Sequence, residues 1–161
     1  MTLHPHIVPN IVSNAVPNAA PSVVPHDLVR RRTILLVEDE PFVREATSGI
    51  LQHAGFEVLP AIDAQSALGI FAERGRDIDL VMTDMILPGR TGHQLGNDLR
   101  RQSPEIAILI TSGYSSLDDD MEAPQLHMYF LAKPYSRRTL LDKIERILAT
   151  APVAHTAIGA R

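Results

Sequence analysis

The stretch LVMTDMILPG, which runs from Leu80 to Gly89, decides how the rest of the chain is interpreted. It overlaps a mostly apolar run, Ile78–Thr83, whose only charged residue is Asp79 and which is followed at once by Asp84. Strands of a parallel sheet that are covered on both faces have this composition. We therefore expect a buried strand here, with an acidic side chain at its carboxyl end.

Apolar runs and amphipathic stretches alternate on either side of this strand. The other apolar runs are Thr33–Val37, Phe56–Leu59, Ile106–Thr111 and Tyr129–Ala132. Apolar residues at helical spacing predict helices from Pro41 to a stop at Gly55, over Ala64–Arg74, over Gly92–Arg101 and over Ser136–Leu148, with a short or irregular helix within Ser115–Gln125. This alternation predicts an α/β fold in which helices cover both faces of a five-stranded parallel sheet.

The composition narrows the classes of function that the chain can have. Its 161 residues are 45% hydrophobic and carry a net charge of -4, which is typical of a globular domain and gives no sign of general nucleic-acid affinity. Cysteine is absent, which excludes disulfides and thiolate sites. No apolar run is long enough to span a bilayer and no secretory signal is recognisable, so we expect a cytoplasmic protein without membrane contact.

Polar residues stand at the ends of four of the predicted strands. Glu38 and Asp39 follow the first, Asp84 the third and Lys133 the fifth, while Thr111 closes the fourth. Parallel sheets of this kind place their working groups at the carboxyl ends of their strands. Three converging carboxylates need a cation such as Mg²⁺, and a lysine and a hydroxyl suit phosphate oxygens. The set predicts phosphoryl transfer, with a carboxylate as the nucleophile.

Four motifs in this order and spacing resemble the receiver domains of two-component response regulators and hybrid histidine kinases. The motifs are LLVEDE (Leu35–Glu40), LVMTDMILPG (Leu80–Gly89), ILITSGY (Ile108–Tyr114) and FLAKPY (Phe130–Tyr135). The resemblance covers about Arg32 to Leu148. It implies a flavodoxin-like, doubly wound sheet with the strand order 2-1-3-4-5.

The resemblance also implies a role for each residue that matches a motif position. Asp84 is the expected phosphoacceptor; Glu38, Asp39, Asp84 and the backbone carbonyl of Ile86 are expected to hold Mg²⁺; Lys133 and Thr111 are expected to contact the phosphoryl group; Ser112 is expected to keep the acceptor accessible; and Phe130 is the expected switch aromatic. The bond between Lys133 and Pro134 is expected to be cis. On phosphorylation, Thr111 is expected to turn toward the new group and Phe130 to move inward.

Three segments are predicted along the chain. Residues 1–30 form a Pro-rich tail that we expect to be flexible, residues 31–150 the receiver domain, and residues 151–161 a short tail. Neither tail contains a DNA-binding motif or a second catalytic domain. We therefore expect a stand-alone receiver without direct DNA binding.

The expected function is that of a phosphorylated switch, with two alternatives. A histidine kinase or a histidine phosphotransfer protein would phosphorylate Asp84 in a Mg²⁺-dependent reaction, and the change of shape would reach a downstream protein target. Such a domain catalyses only its own phosphorylation and dephosphorylation and is not a turnover enzyme. The alternatives are a binding module that works without phosphorylation and a Mg²⁺-dependent phosphatase. Ile86 disfavours the phosphatase because it occupies the position of that class's second acid.

Overall fold

Five parallel strands form the central sheet of the computed structural model, which describes residues 30–113 and 126–150. Both predicted tails and the segment Ser115–Gln125 lie outside these residues, apart from Arg30. The strands of the sheet are β1 (Thr33–Val37), β2 (Glu57–Ala61), β3 (Ile78–Asp84), β6 (Ala107–Ser112) and β7 (Met128–Ala132), and a separate two-stranded hairpin consists of β4 (Ile86–Leu87) and β5 (Arg90–Thr91). The sheet has the order β2-β1-β3-β6-β7, which is the predicted order once the hairpin is set aside. The predicted fold class is confirmed.

Four α-helices lie within the described residues. They are α1 (Pro41–His53), α2 (Ala64–Arg74), α3 (Gly92–Gln102) and α4 (Arg137–Thr150), and a 3₁₀ turn follows α2 at Gly75–Asp77. Their ends agree with the sequence prediction to within two residues. The expected stop after α1 is present, since Gly55 has a φ of 96°, a left-handed conformation that glycine adopts without strain. No helix in the described part of the chain is long and apolar enough to cross a membrane.

Alternate residues of the inner strands supply two hydrophobic clusters, one on each face of the sheet. On one face, residues such as Val81 and Ile110 pack with side chains of α2 and α3, including Phe71 and Leu95. On the other face, neighbouring strand residues pack with side chains of α1 and α4. Because both faces are covered, β1 is buried at all of its five positions. The polar residues of the predicted site lie at the ends of these buried strands.

The bounds of β3, β6 and β7 differ from the predicted runs by one residue at one or both ends, and two features of the structure depart further. Strand β2 begins one residue later than expected and continues through Pro60, which pairs with Leu36. Proline fits there because β2 is at the edge of the described sheet, where a missing N–H group breaks no ladder. The second departure is the hairpin of β4 (Ile86–Leu87) and β5 (Arg90–Thr91), which follows β3 directly and was not predicted.

Candidate functional site

Lys133 joins two carboxylates at the carboxyl edge of the sheet. Its Nζ lies 2.6 Å from Oδ2 of Asp84 and 3.2 Å from Oε2 of Glu38. The side chain of Glu38 is only 7% exposed, that of Asp84 18% and that of Lys133 26%. One partly buried ammonium group therefore offsets two carboxylates that the sequence separates by 46 residues.

Strand β6 lies next to Asp84, and its backbone bonds to the residues around Asp84 and Lys133 help to position them at the edge of the sheet. Asp84 and Thr111 are register partners on β3 and β6, and the N–H of Met85 donates to the carbonyl of Thr111 over 2.8 Å. The hydroxyl of Thr111 is buried and donates to the carbonyl of Thr83 over 3.4 Å. The N–H of Lys133 donates to the carbonyl of Ser112 over 2.6 Å, and the Lys133–Pro134 bond is cis as expected.

The turn after Asp84 is held in place by its own backbone and by helix α3. The N–H of Ile86 donates to Oδ1 of Asp84 over 3.1 Å, so each carboxylate oxygen has a donor. Gly92, the first residue of α3, donates its N–H to the carbonyl of Met85 over 2.8 Å. A Cβ on Gly92 would lie 2.2 Å from the carbonyl oxygen of Asp84, so no side chain fits there. The start of α3 therefore packs directly against the main chain of Asp84.

The link between β1 and α1 carries the acidic pair. The N–H of Glu38 extends the ladder to Ala61 over 3.1 Å, and Oε1 of Glu38 accepts from the N–H of Glu40 over 3.3 Å. Glu40 is the N-cap of α1, and Pro41 follows at a position where a missing N–H group costs nothing. Nη1 of Arg44 donates to the carbonyls of Glu38 and Asp39, over 2.8 and 3.2 Å. These bonds fix the main chain of the acidic pair.

Two ionisable groups at this edge have raised pKa values. Burial on its own would lower the pKa of Lys133, but the hydrogen bonds and charges of Asp84 and Glu38 outweigh it and raise the pKa. Burial raises the pKa of the Tyr135 phenol, against a smaller opposite effect of its hydrogen bond to Thr47. Both groups therefore hold their protons more tightly in the folded chain than in the unfolded chain.

These two pKa values predict a loss of stability in alkaline solution. As the pH rises past about 10, the ordinary value of both groups, the unfolded chain loses these protons before the folded chain does. The stability that the two groups supply is thus fully present at neutral pH and is lost as the pH passes through their raised folded values. Urea unfolding between pH 8 and 11 should show a falling free energy of unfolding, with a shallower fall in Tyr135→Phe. A flat profile, or an unchanged slope in that variant, would contradict the prediction.

The residues at this edge fit Mg²⁺, although they do not form a ready-made metal cage. No three side chains of His, Asp or Glu within the described residues converge closely enough to hold a metal on their own. Mg²⁺ usually keeps several waters and takes one or two carboxylates together with phosphate oxygens. Oxygen donors on Glu38, Asp39 and Asp84 meet that requirement, and Asp39 is exposed to solvent.

The structure brings some of the predicted site residues together and leaves others apart. Glu38, Asp84 and Lys133 are in contact, and Thr111 is next to Asp84 on the neighbouring strand. Asp39 makes no ion pair with Lys133 within 4.0 Å, and both are described residues. Phe130 is already buried, with 4% exposure. The structure therefore does not show the outward-facing side chain from which the expected inward movement would begin. The contacts show proximity only, so the roles predicted for all of these residues, and for Ser112 and the Ile86 carbonyl, stay predictions.

Sequence reasoning missed three residues that hold this site. Arg44 clamps the carbonyls of the acidic pair, Gly92 lets α3 approach Asp84, and Thr47 bonds to the phenol of Tyr135. A glycine directly after a threonine N-cap gave a usable signal for Gly92, because Thr91 and Gln94 form a capping box around it. Nothing in the helical pattern of α1 singled out Arg44 or Thr47.

Comparisons with known proteins agree with this geometry. The model of the response regulator receiver domain family matches residues 34–145. The chain is 36% identical over 114 residues to the response regulator FleR of Pseudomonas aeruginosa, covering 70% of this chain and 24% of FleR. It is 34% identical over 123 residues to the sensor kinase CckA of Brucella abortus, covering 76% of this chain and 13% of CckA. A crystal structure of the response regulator TrrA of Thermotoga maritima with Mg²⁺–BeF superposes with a TM-score of 0.63 and 27% identity, covering 72% of this chain and 98% of TrrA.

The class of the protein follows from its fold, its site and the family match taken together. The chain belongs to the response regulator receiver domain family, the signalling modules of two-component systems. It spans about a quarter of FleR and an eighth of CckA, so the match concerns the receiver part of these relatives. The ends of the predicted domain at residues 31 and 150 stay a prediction, because the family match begins and ends inside them.

Proposed function

We propose that Asp84 accepts a phosphoryl group, in a Mg²⁺-dependent reaction, from a histidine kinase or a histidine phosphotransfer protein in the cytoplasm. The observation that carries the proposal is the contact of Lys133 with both Asp84 and Glu38 at the carboxyl edge of the sheet. When a phosphoryl group is added to Asp84, the ammonium of Lys133 can pair with the new phosphoryl oxygens. The phosphorylated domain then acts on a downstream protein target, without binding DNA directly.

The chain's own residues supply position and charge for this step. A carboxylate oxygen of Asp84 attacks the phosphorus of a phosphohistidine; the new P–O bond forms as the P–N bond breaks, and the imidazole leaves and takes up a proton. Lys133 offsets the charge that the phosphoryl group adds, and Thr111 offers a hydroxyl on the adjacent strand. A bound Mg²⁺ would neutralise charge on the phosphoryl oxygens. TrrA, which was crystallised with Mg²⁺–BeF, supports the choice of metal.

Acetyl phosphate or beryllofluoride with Mg²⁺ tests the proposal directly. We expect the wild-type chain to gain the mass of one phosphoryl group, or to change its NMR spectrum with beryllofluoride, and we expect Asp84→Asn to do neither. Asp142→Asn, which removes a carboxylate half exposed on α4, is the matched control and should respond like the wild type. An unresponsive wild type, or a full response in Asp84→Asn, would refute the proposed function.

A second candidate is a receiver-fold binding module that works without phosphorylation. It is favoured by one observation: Lys133 contacts both partly buried carboxylates and can neutralise part of their charge without a divalent cation. Titration with Mg²⁺ separates the two functions. Saturable shifts of the amides of residues 38–40 and 84–86 support the phosphorylated switch, and their absence supports the binding module.

A further inference from the structure

Arg44 lies near three acidic residues and yet pairs with none of their carboxylates. Glu38, Asp39 and Glu40 all precede it within six positions. Its Nη1 donates instead to two main-chain oxygens, those of Glu38 and Asp39, over 2.8 and 3.2 Å. Among residues 30–113 and 126–150, it has no ion pair within 4.0 Å.

A guanidinium group is well suited to bind a carboxylate through two parallel hydrogen bonds, but Arg44 binds two main-chain carbonyls instead. Arg44 is half-buried on the first turns of α1, and its N–H donates to the carbonyl of Glu40 as part of the helix. The carbonyls that it holds belong to the two residues that follow β1. The side chain therefore anchors the link between β1 and α1 to the helix itself and leaves the nearby carboxylates to other partners.

We propose that Arg44 is a positioning residue for divalent-cation binding. Its guanidinium fixes the main chain of Glu38 and Asp39, so that their side chains stay available to a hard cation next to Asp84. This inference rests on the proposed function and adds a residue that acts through the acidic pair, without touching the cation or the phosphoryl group. Its positive charge acts in the opposite direction, by repelling a cation.

The relative size of the two effects decides the direction of the prediction. Residues that orient metal ligands typically change metal affinity by roughly 10- to 100-fold when they are replaced. Repulsion between charges through water at an exposed edge changes affinity by a factor on the order of a few. The loss of position should therefore outweigh the loss of repulsion, and removal of Arg44 should weaken the binding of Mg²⁺.

A Mg²⁺ titration, followed through the amide NMR signals of residues 38–40 and 84–86, tests the inference on the folded chain. Arg44→Met should raise the Kd for Mg²⁺ by about tenfold. Arg44→Lys keeps the charge, but its flexible ammonium can turn to a carboxylate, so a similar loss is expected. Arg138→Met removes an exposed arginine from α4 as the matched control and should leave the Kd unchanged.

Each outcome of this experiment has a distinct meaning. A Kd in Arg44→Met that equals that of the wild type assigns Arg44 a purely structural role, and a lower Kd shows that its charge matters more than its position; either result overturns the inference. A wild-type chain without any Mg²⁺ response refutes the proposed function instead. Arg44→Gln, which keeps an amide NH₂ group as a donor, gives a second test if Arg44→Met does not fold, and it is expected to raise the Kd by less than Arg44→Met does.

Discussion

Replacing Lys133 with methionine is expected to lower the free energy of unfolding by about 2–3 kcal/mol and to abolish the response to acetyl phosphate. Removing one member of a buried ion pair typically costs about 3–5 kcal/mol, because the remaining charge is left uncompensated. The cost should be smaller here because the side chain of Lys133 is 26% exposed. Two carboxylates, Glu38 and Asp84, would then face each other without the ammonium that now lies between them.

A second substitution shows whether repulsion between these carboxylates causes the loss. Asp84→Asn in the Lys133→Met background removes one of the two charges and should restore a large part of the stability. Lys143→Met replaces the only other lysine of the chain, which is half-buried on α4, and should cost clearly less than Lys133→Met. Urea unfolding at pH 7 measures all three variants. A stable Lys133→Met protein, or a double variant no more stable than the single one, would contradict the ion-pair interpretation.

The sequence predicted the strand-end residues of the site because topology alone brings them together. In a doubly wound sheet, any residue that directly follows a parallel strand lies at the same edge, so Glu38, Asp84 and Lys133 could be placed before their distances were known. The apolar runs predicted the strands well for a different reason, because burial on both faces of the sheet leaves little room for polar residues. Strand β2 was placed less well, because the predicted apolar run stopped at Leu59, whereas the strand continues through Pro60, which an edge strand tolerates.

The sequence did not reveal the hairpin, whose strands are very short, or the hydrogen bonds of Arg44, which depend on the conformation of a long side chain. Strands β4 and β5 have two residues each, which is too short for a periodic pattern. The Pro88-Gly89 pair between them was nevertheless a usable turn signal, and Gly89 does have a φ of 77°. The bonds of Arg44 to two carbonyls depend on where a long side chain points, and no pattern of residue types encodes that direction.

Replacing Gly92 with alanine is expected to cost about 3 kcal/mol of unfolding free energy and to reduce phosphoryl uptake by Asp84. The added Cβ would lie 2.2 Å from the carbonyl oxygen of Asp84 and 3.0 Å from Cγ2 of Thr83. A backbone atom cannot give way by rotation, so either α3 or the end of β3 has to move. Overpacking of this kind typically costs about 1–3 kcal/mol, and the shortness of the contact places Gly92 at the upper end.

Two other glycines provide a graded control in the same fold. Gly49, on α1, has no atom within 4 Å of an added Cβ, so Gly49→Ala should stabilise the chain by about 1 kcal/mol through helix propensity. Gly96, on α3, would bring its Cβ 3.2 Å from Cγ2 of Ile108, a side chain that can shift, so an intermediate result is expected. Urea unfolding should rank the variants, from most to least stable, as Gly49→Ala, Gly96→Ala and Gly92→Ala. Uptake of the phosphoryl group from acetyl phosphate should fall in the same order. Equal stability of Gly92→Ala and Gly49→Ala would show that the close approach of α3 to Asp84 is not required, and normal uptake in a destabilised Gly92→Ala would show that it does not position the carboxylate.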